Sequence, residues 1–133
     1  MNRILLATAS LAGFTAALHT FRGTLEISMP LMQSQLPQEV ILLLYACWHL
    51  VTVALILSAA SLFMAARSKD ASQRSTVTLI SSMWLGFGLV FIVVSLVYAG
   101  PAMLLALPQW VLLMPVGLLG LWGNARPAQA ATR

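Results

Sequence analysis

The chain has 133 residues, 60% of them hydrophobic and 8% charged. A soluble domain carries about 25% charged residues, so this balance excludes an ordinary soluble enzyme and leaves no room for a separate soluble domain beside the membrane part. The net charge of +4 is spread singly over the ends of apolar runs, as topology determinants are, whereas a nucleic-acid footprint would cluster basic and aromatic residues on one face.

The first element opens with Arg3 and is apolar from Ile4 to Phe21. A signal peptide shares that layout, but the run is long for its apolar middle and Thr15-Ala16-Ala17 is only a modest cleavage match. A retained first helix is therefore expected. His19, Arg22 and Glu26 follow at spacings of three and four, which stack side chains on one helix face. The helix is expected to continue to about Ser28 and to stop before Pro30. Arg22 and Glu26 are set to pair, which lowers the cost of charges at a membrane boundary.

Met29–Glu39 reads as a connector punctuated by Pro30 and Pro37, with Pro37-Gln38-Glu39 as the first turn of a second helix. The second span is Val40–Ala66, 27 residues without a formal charge if His49 is neutral. At about 1.5 Å per residue it exceeds the roughly 30 Å hydrocarbon core. Arg67–Ser75 is a short polar loop. Thr76–Tyr98 is the third span, where Ser81, Ser82, Gly86 and Gly88 would let a neighbouring helix approach closely. Trp84 reads as interfacial or packed, and Tyr98 as the better interfacial belt residue.

Gly100-Pro101 ends that span. Ala102–Leu107 is expected to be a short interfacial segment leading into a helix that starts near Pro108 and bends at Pro115 and Gly117. Together they make a fourth crossing over about 102–123. Residues 124–133 read as a disordered tail. With four spans, Arg3, Arg67, Lys69, Arg74, Arg126 and Arg133 share one side, six of the seven basic residues. That bias predicts both termini in the cytoplasm, in an inner (plasma) membrane.

The densest polar grouping lies in the first two spans. His49 is about 15 Å inside the second helix, and His19 reaches a similar depth in an extended first helix. Tyr45, His49 and Thr52 share a face by i,i+4 and i,i+3 spacing. Cys47, the lone cysteine, points the other way, so a Cys-x-His ligand pair is not expected. The candidate site is therefore His19, Arg22, Glu26, Tyr45, His49 and Thr52.

Four readings are open. The histidines cross-link helices by hydrogen bonds. They form a proton or substrate pathway with Arg22 and Glu26. They ligate haem or a metal ion. Or the cluster binds a lipid, a quinone or a partner subunit in a pocket between helices. The four tryptophans read as packing and interface anchors, and Met29 with Met32 is weak evidence for soft copper. No hydrolase elbow, phosphate loop, dinucleotide fingerprint or zinc-protease motif occurs, and Asp70, the only aspartate, is far along the chain from both histidines.

The segments YACWHLVT (45–52 in its Tyr45, Trp48 and His49), LPQWVLLMPVGLLGLWG and the early LHTFRG together resemble a group of small four-span bacterial inner-membrane proteins. The resemblance covers most of the chain and implies the four-span fold, without importing an activity. Small multidrug transporters are similar in length and span count, but here Glu26 lies at the outer end of the first helix rather than in its middle, so that analogy rests on architecture alone. The expected fold is all-α, an antiparallel four-helix transmembrane bundle. The expected function is non-enzymatic binding of a small ligand or partner through a His19/His49 cluster facing the bundle interior, closed at its outer end by Arg22 and Glu26. Proton-coupled transport and a bis-histidine haem or metal redox protein are the alternatives. The expected partners are the bilayer and either another membrane subunit or a second copy of the chain, and not nucleic acid.

Overall fold

In a computed structural model, described here for residues 1–68, 70 and 72–125, the chain is an all-α bundle. Its helices are α1 (Arg3–Met32), α2 (Gln38–Arg67), α3 (Gln73–Tyr98), the short α4 (Met103–Ala106) and α5 (Trp110–Ala125). The first three are each long and apolar enough to cross a membrane, and α5 is a shorter apolar helix. The charge-poor composition of these rods makes the chain a multi-pass helical membrane protein.

Asn2 starts α1 by accepting hydrogen bonds on its side-chain oxygen from the amides of Ile4 and Leu5, which supplies partners that a helix start otherwise lacks. The helix then runs past the expected stop near Ser28. Thr24–Ser28 forms a π-helical turn, and the α-helix resumes at Met29–Met32 with Pro30 inside it. A proline ring clashes with the carbonyl four residues before it, here that of Glu26, and a widened turn over that stretch makes room. The connector is thereby cut to residues 33–37. Pro37 opens α2 as expected, its carbonyl accepting from the amides of Val40 and Ile41. At the end of α3, Gly100 takes a left-handed φ of 83° that reverses the chain, a conformation that glycine adopts without strain. The short α4 and the start of α5 just beyond Pro108 match the sequence expectation. The Trp110 indole N–H donates to the carbonyl of Leu104 at 3.0 Å and fastens the two together.

The helices pack antiparallel, α1 on α2, α3 on α5, and α1 on α5, with a lighter contact between α2 and α3. The buried stripe of α1 is Leu5, Thr8, Ala9, Ala12, Thr15 and Ala16. Such small side chains let helix backbones approach, which is how helices associate where lipid is as apolar as leucine. Of the small residues expected to line α3, Ser81 and Gly88 are buried, seven apart on one face, whereas Ser82 and Gly86 are exposed on another. Trp84 is fully buried and donates its indole N–H to Ser58 Oγ of α2 at 2.9 Å; it is packed, not interfacial. Tyr98 is exposed at the helix end. Asn124 and Ala125, expected in the tail, lie in α5, and the Asn124 amide donates to the Arg74 carbonyl and to Thr78 Oγ1. The rest of the expected tail, 126–133, and Lys69 lie outside the described residues.

One end of the bundle is tied tightly. The Asn2 backbone amide donates to the Ala66 carbonyl, and its side-chain amide to the Gly123 carbonyl, both at 2.9 Å. Towards the other end α5 falls short, with 16 residues against 30 in α1 and 30 in α2. At about 1.5 Å per residue α5 spans roughly 24 Å, so the outer parts of α1 and α2 rise past its start. In α2 no residue before Leu55 is buried.

Candidate functional site

The outer half of the α1–α2 pair holds all six candidate residues, and the structure sorts them into three pairs. The first is His19 with Thr52. His19 Nε2 lies 3.1 Å from Thr52 Oγ1 and 3.4 Å from the Trp48 carbonyl oxygen. Thr52 Oγ1 itself donates to that carbonyl at 3.1 Å, so its one proton is committed and it meets the imidazole as an acceptor. This assigns the Nε2–H tautomer to His19. The imidazole also stacks on the Trp48 indole, ring centroids 4.0 Å apart and planes 18° from parallel.

Trp48 and Gly23 were not among the candidates, yet they build this contact. A β-carbon on Gly23 would lie 2.5 Å from Cη2 and 2.7 Å from Cζ2 of the indole. Gly23 is four residues after His19, about 40° round the same helix face. His19 supplies the stacking surface and Gly23 the space beside it. The signal in the sequence was the pairing of LHTFRG with YACWHLVT, which the fold brings face to face.

The second pair is Tyr45 with His49, ring centroids 4.5 Å apart in an edge arrangement. Here the structure departs from the expected cluster. His49 is exposed on α2, and no hydrogen bond or ring contact joins it to His19. The seam of α2 against α1 runs through Trp48 and Thr52, and His49 lies about 100° round the helix from Trp48, at the edge of that seam.

The third pair is Arg22 with Glu26, whose Nε donates to Oε1 at 2.8 Å, with side chains 73% and 55% exposed. They pair as expected but do not close a pocket over the histidines. Arg22 lies about 60° to the far side of His19 from Gly23, so it projects away from α2. From Arg3 to Arg22 the helix rises about 30 Å, roughly the thickness of a hydrocarbon core, and the long arginine side chain can reach further along it.

Between α1 and α2 is an open apolar concavity of about 350 Å³ bordered by Gly13, Ala16, Ala17, Thr20, Ile56 and Ala59 among others. None of the six candidate residues lines it. Among the described residues no group of three histidine, cysteine, aspartate or glutamate side chains gathers as metal ligands. The tryptophan ring, and not a second imidazole, occupies the face of His19. No family model, curated protein or solved structure matches this chain.

Proposed function

We propose that the chain is a four-span inner-membrane protein with both termini in the cytoplasm, and that it acts without catalysis by binding a partner within the bilayer through the outer part of α2. The observation that carries this reading is His49, an exposed ionisable side chain about 16 Å along α2 from Gln38, on a stretch of helix with no fully buried residue. Ionisable groups at membrane depth are costly and are met by a partner group or a cavity. His19 already has such partners in Thr52 and Trp48, and Arg22 has Glu26. His49 has the edge of Tyr45 and no hydrogen bond among the described residues.

This reading is preferred to a proton pathway because the ionisable groups fall into separate pairs and not into one chain of hydrogen bonds. It is preferred to a haem or metal centre because His19 is engaged through Nε2 and by its ring face. The fourth crossing, α5, uses about 24 Å of helix and is extended at its outer end by α4.

Solubilisation in mild detergent or native polymer discs, followed by mass spectrometry, tests the reading. The expected result is a defined assembly larger than one chain that is weakened by His49→Leu. A single chain throughout would overturn it. Reporter fusions at position 35 and at the C-terminus test the topology, with opposite sidedness expected.

A further inference from the structure

The end of the bundle tied by Asn2 is also where positive charge gathers. The Asn2 amide donates to the Ala66 carbonyl, and the residues next along, Arg3 and Arg67, flank that bond at the start of α1 and the end of α2. Standard backbone dimensions place their α-carbons within about 11 Å of each other, inside the combined reach of two arginine side chains. Arg74, in the first turn of α3, is drawn to the same end, because Asn124 of α5 donates to its carbonyl and the neighbouring Gly123 accepts from the Asn2 side chain. All three arginines are exposed. Among the described residues none of them is ion-paired, the one salt bridge being Arg22 with Glu26. Glu39 opens α2 at the opposite end. Asp70, the only carboxylate at this end, is occupied by Ser72, which donates to each of its two oxygens.

Arg67 shows at what depth this charge lies. Its guanidinium carbon sits 5.2 Å from the centre of the Phe63 ring. Phe63 is one turn back along α2, exposed and inside the apolar span. The guanidinium is therefore turned back toward the bilayer and not out into water, at the layer where headgroup phosphates lie. We propose that this end of the bundle holds the phosphate of an acidic phospholipid between Arg3 and Arg67, with Arg74 adding to the field. The planar fork of a guanidinium matches two oxygens of a phosphate. Three arginines against one aspartate leave two positive charges here, which repel a headgroup that brings its own ammonium and attract one that is singly negative. The site lies away from His49 and does not depend on what the outer part of α2 meets.

The test places the full chain in lipid discs of equimolar phosphatidylglycerol and phosphatidylcholine and counts, by native mass spectrometry, the lipids that stay bound when the disc is stripped. The expected result is retention of phosphatidylglycerol in preference to phosphatidylcholine. Arg3→Gln and Arg67→Gln should each lower that preference about five-fold. Arg22→Gln, which removes the same charge at the opposite end, should leave it unchanged. Phe63→Leu keeps every charge but releases the guanidinium from the ring, and should lower the preference about two- to five-fold. No preference in the native chain, or an equal loss in Arg22→Gln, overturns the proposal. A preference abolished by excess inorganic phosphate reveals an anion site facing water and overturns the lipid assignment. A Phe63→Leu chain as selective as the native one overturns the placing of Arg67 at headgroup depth.

Discussion

The imidazole of His19 lies flat against the indole of Trp48, 4.0 Å from centroid to centroid, and its Nε2 reaches Thr52 one turn further along the same helix. One side chain of α1 is thus held by two residues of α2 through two different forces. The stack is insensitive to small rotations, and the hydrogen bond fixes the one rotation that remains. Together they set the register of the α1–α2 pair in its outer half, as Asn2 and Ala66 set it at the opposite end.

The two forces are separable by substitution. His19→Phe keeps a flat ring on the indole and removes the bond to Thr52, with an expected loss of about 0.6–2 kcal/mol. His19→Ala removes the stack as well, a further loss of about 0.5–1.5 kcal/mol. Reversible unfolding in mixed micelles measures both; equal losses for the two variants would show that the stack contributes nothing.

Glycines on α1 should differ sharply. Gly23→Ala drives a methyl group into the Trp48 ring, so a loss of about 1–3 kcal/mol and a shifted tryptophan emission are expected. Nothing lies within 4 Å of a β-carbon at Gly13. Gly13→Ala should therefore be neutral or stabilising by up to about 1 kcal/mol, the helix preference of alanine over glycine.

The α3–α5 contact predicts a rescue. A β-carbon on Gly120 would overlap Ser81 Oγ, a buried hydroxyl with no hydrogen-bond partner in its surroundings. Ser81→Ala removes that oxygen and should cost little or stabilise. Gly120→Ala alone should destabilise, and the double variant should recover most of the loss. Gly117→Ala should not be rescued by Ser81→Ala, because its β-carbon would meet Leu85 Cγ at 2.5 Å and the Ser81 backbone oxygen at 2.7 Å, neither of which that substitution removes. Thermal unfolding in detergent of the three single and two double variants checks this.

Trp84 is fully buried, with Ser58 as the acceptor for its indole N–H. Ser58→Ala leaves that donor orphaned and should cost about 1–3 kcal/mol. Trp84→Phe on the same background should cost little more through the hydrogen bond, so a double-mutant cycle should show coupling between the two sites.

Asp70 lies in the turn between α2 and α3, where Ser72 donates to its carboxylate from the side chain at 2.6 Å and from the backbone at 2.9 Å. These bonds favour the charged form and hold the carboxyl below its ordinary value. Their contribution to the turn is present above the ordinary carboxyl pKa and is lost as pH falls through the lowered one. Carbon-detected titration by NMR should find the Asp70 midpoint raised toward the ordinary value in Ser72→Ala.

What the sequence by itself determined is the membrane character, the helix order and most helix ends, because these depend on local properties: apolar length, proline and glycine positions, and the scarcity of charge. It also placed Tyr45 beside His49 and Arg22 beside Glu26, since residues four apart on a helix are neighbours wherever that helix goes. It misjudged the end of α1, where a π-helical turn absorbs Pro30 and the helix runs on to Met32. Only the tertiary structure decided which side of each helix meets another. Towards one end of the α1–α2 contact the seam runs through Trp48 and Thr52 and so turns His49 outward, and no intrahelical spacing encodes that rotation. Gly23 and Trp48 are far apart in the chain and unremarkable singly; their roles exist only because two rigid cylinders come close enough there for one missing methyl group to decide whether they touch.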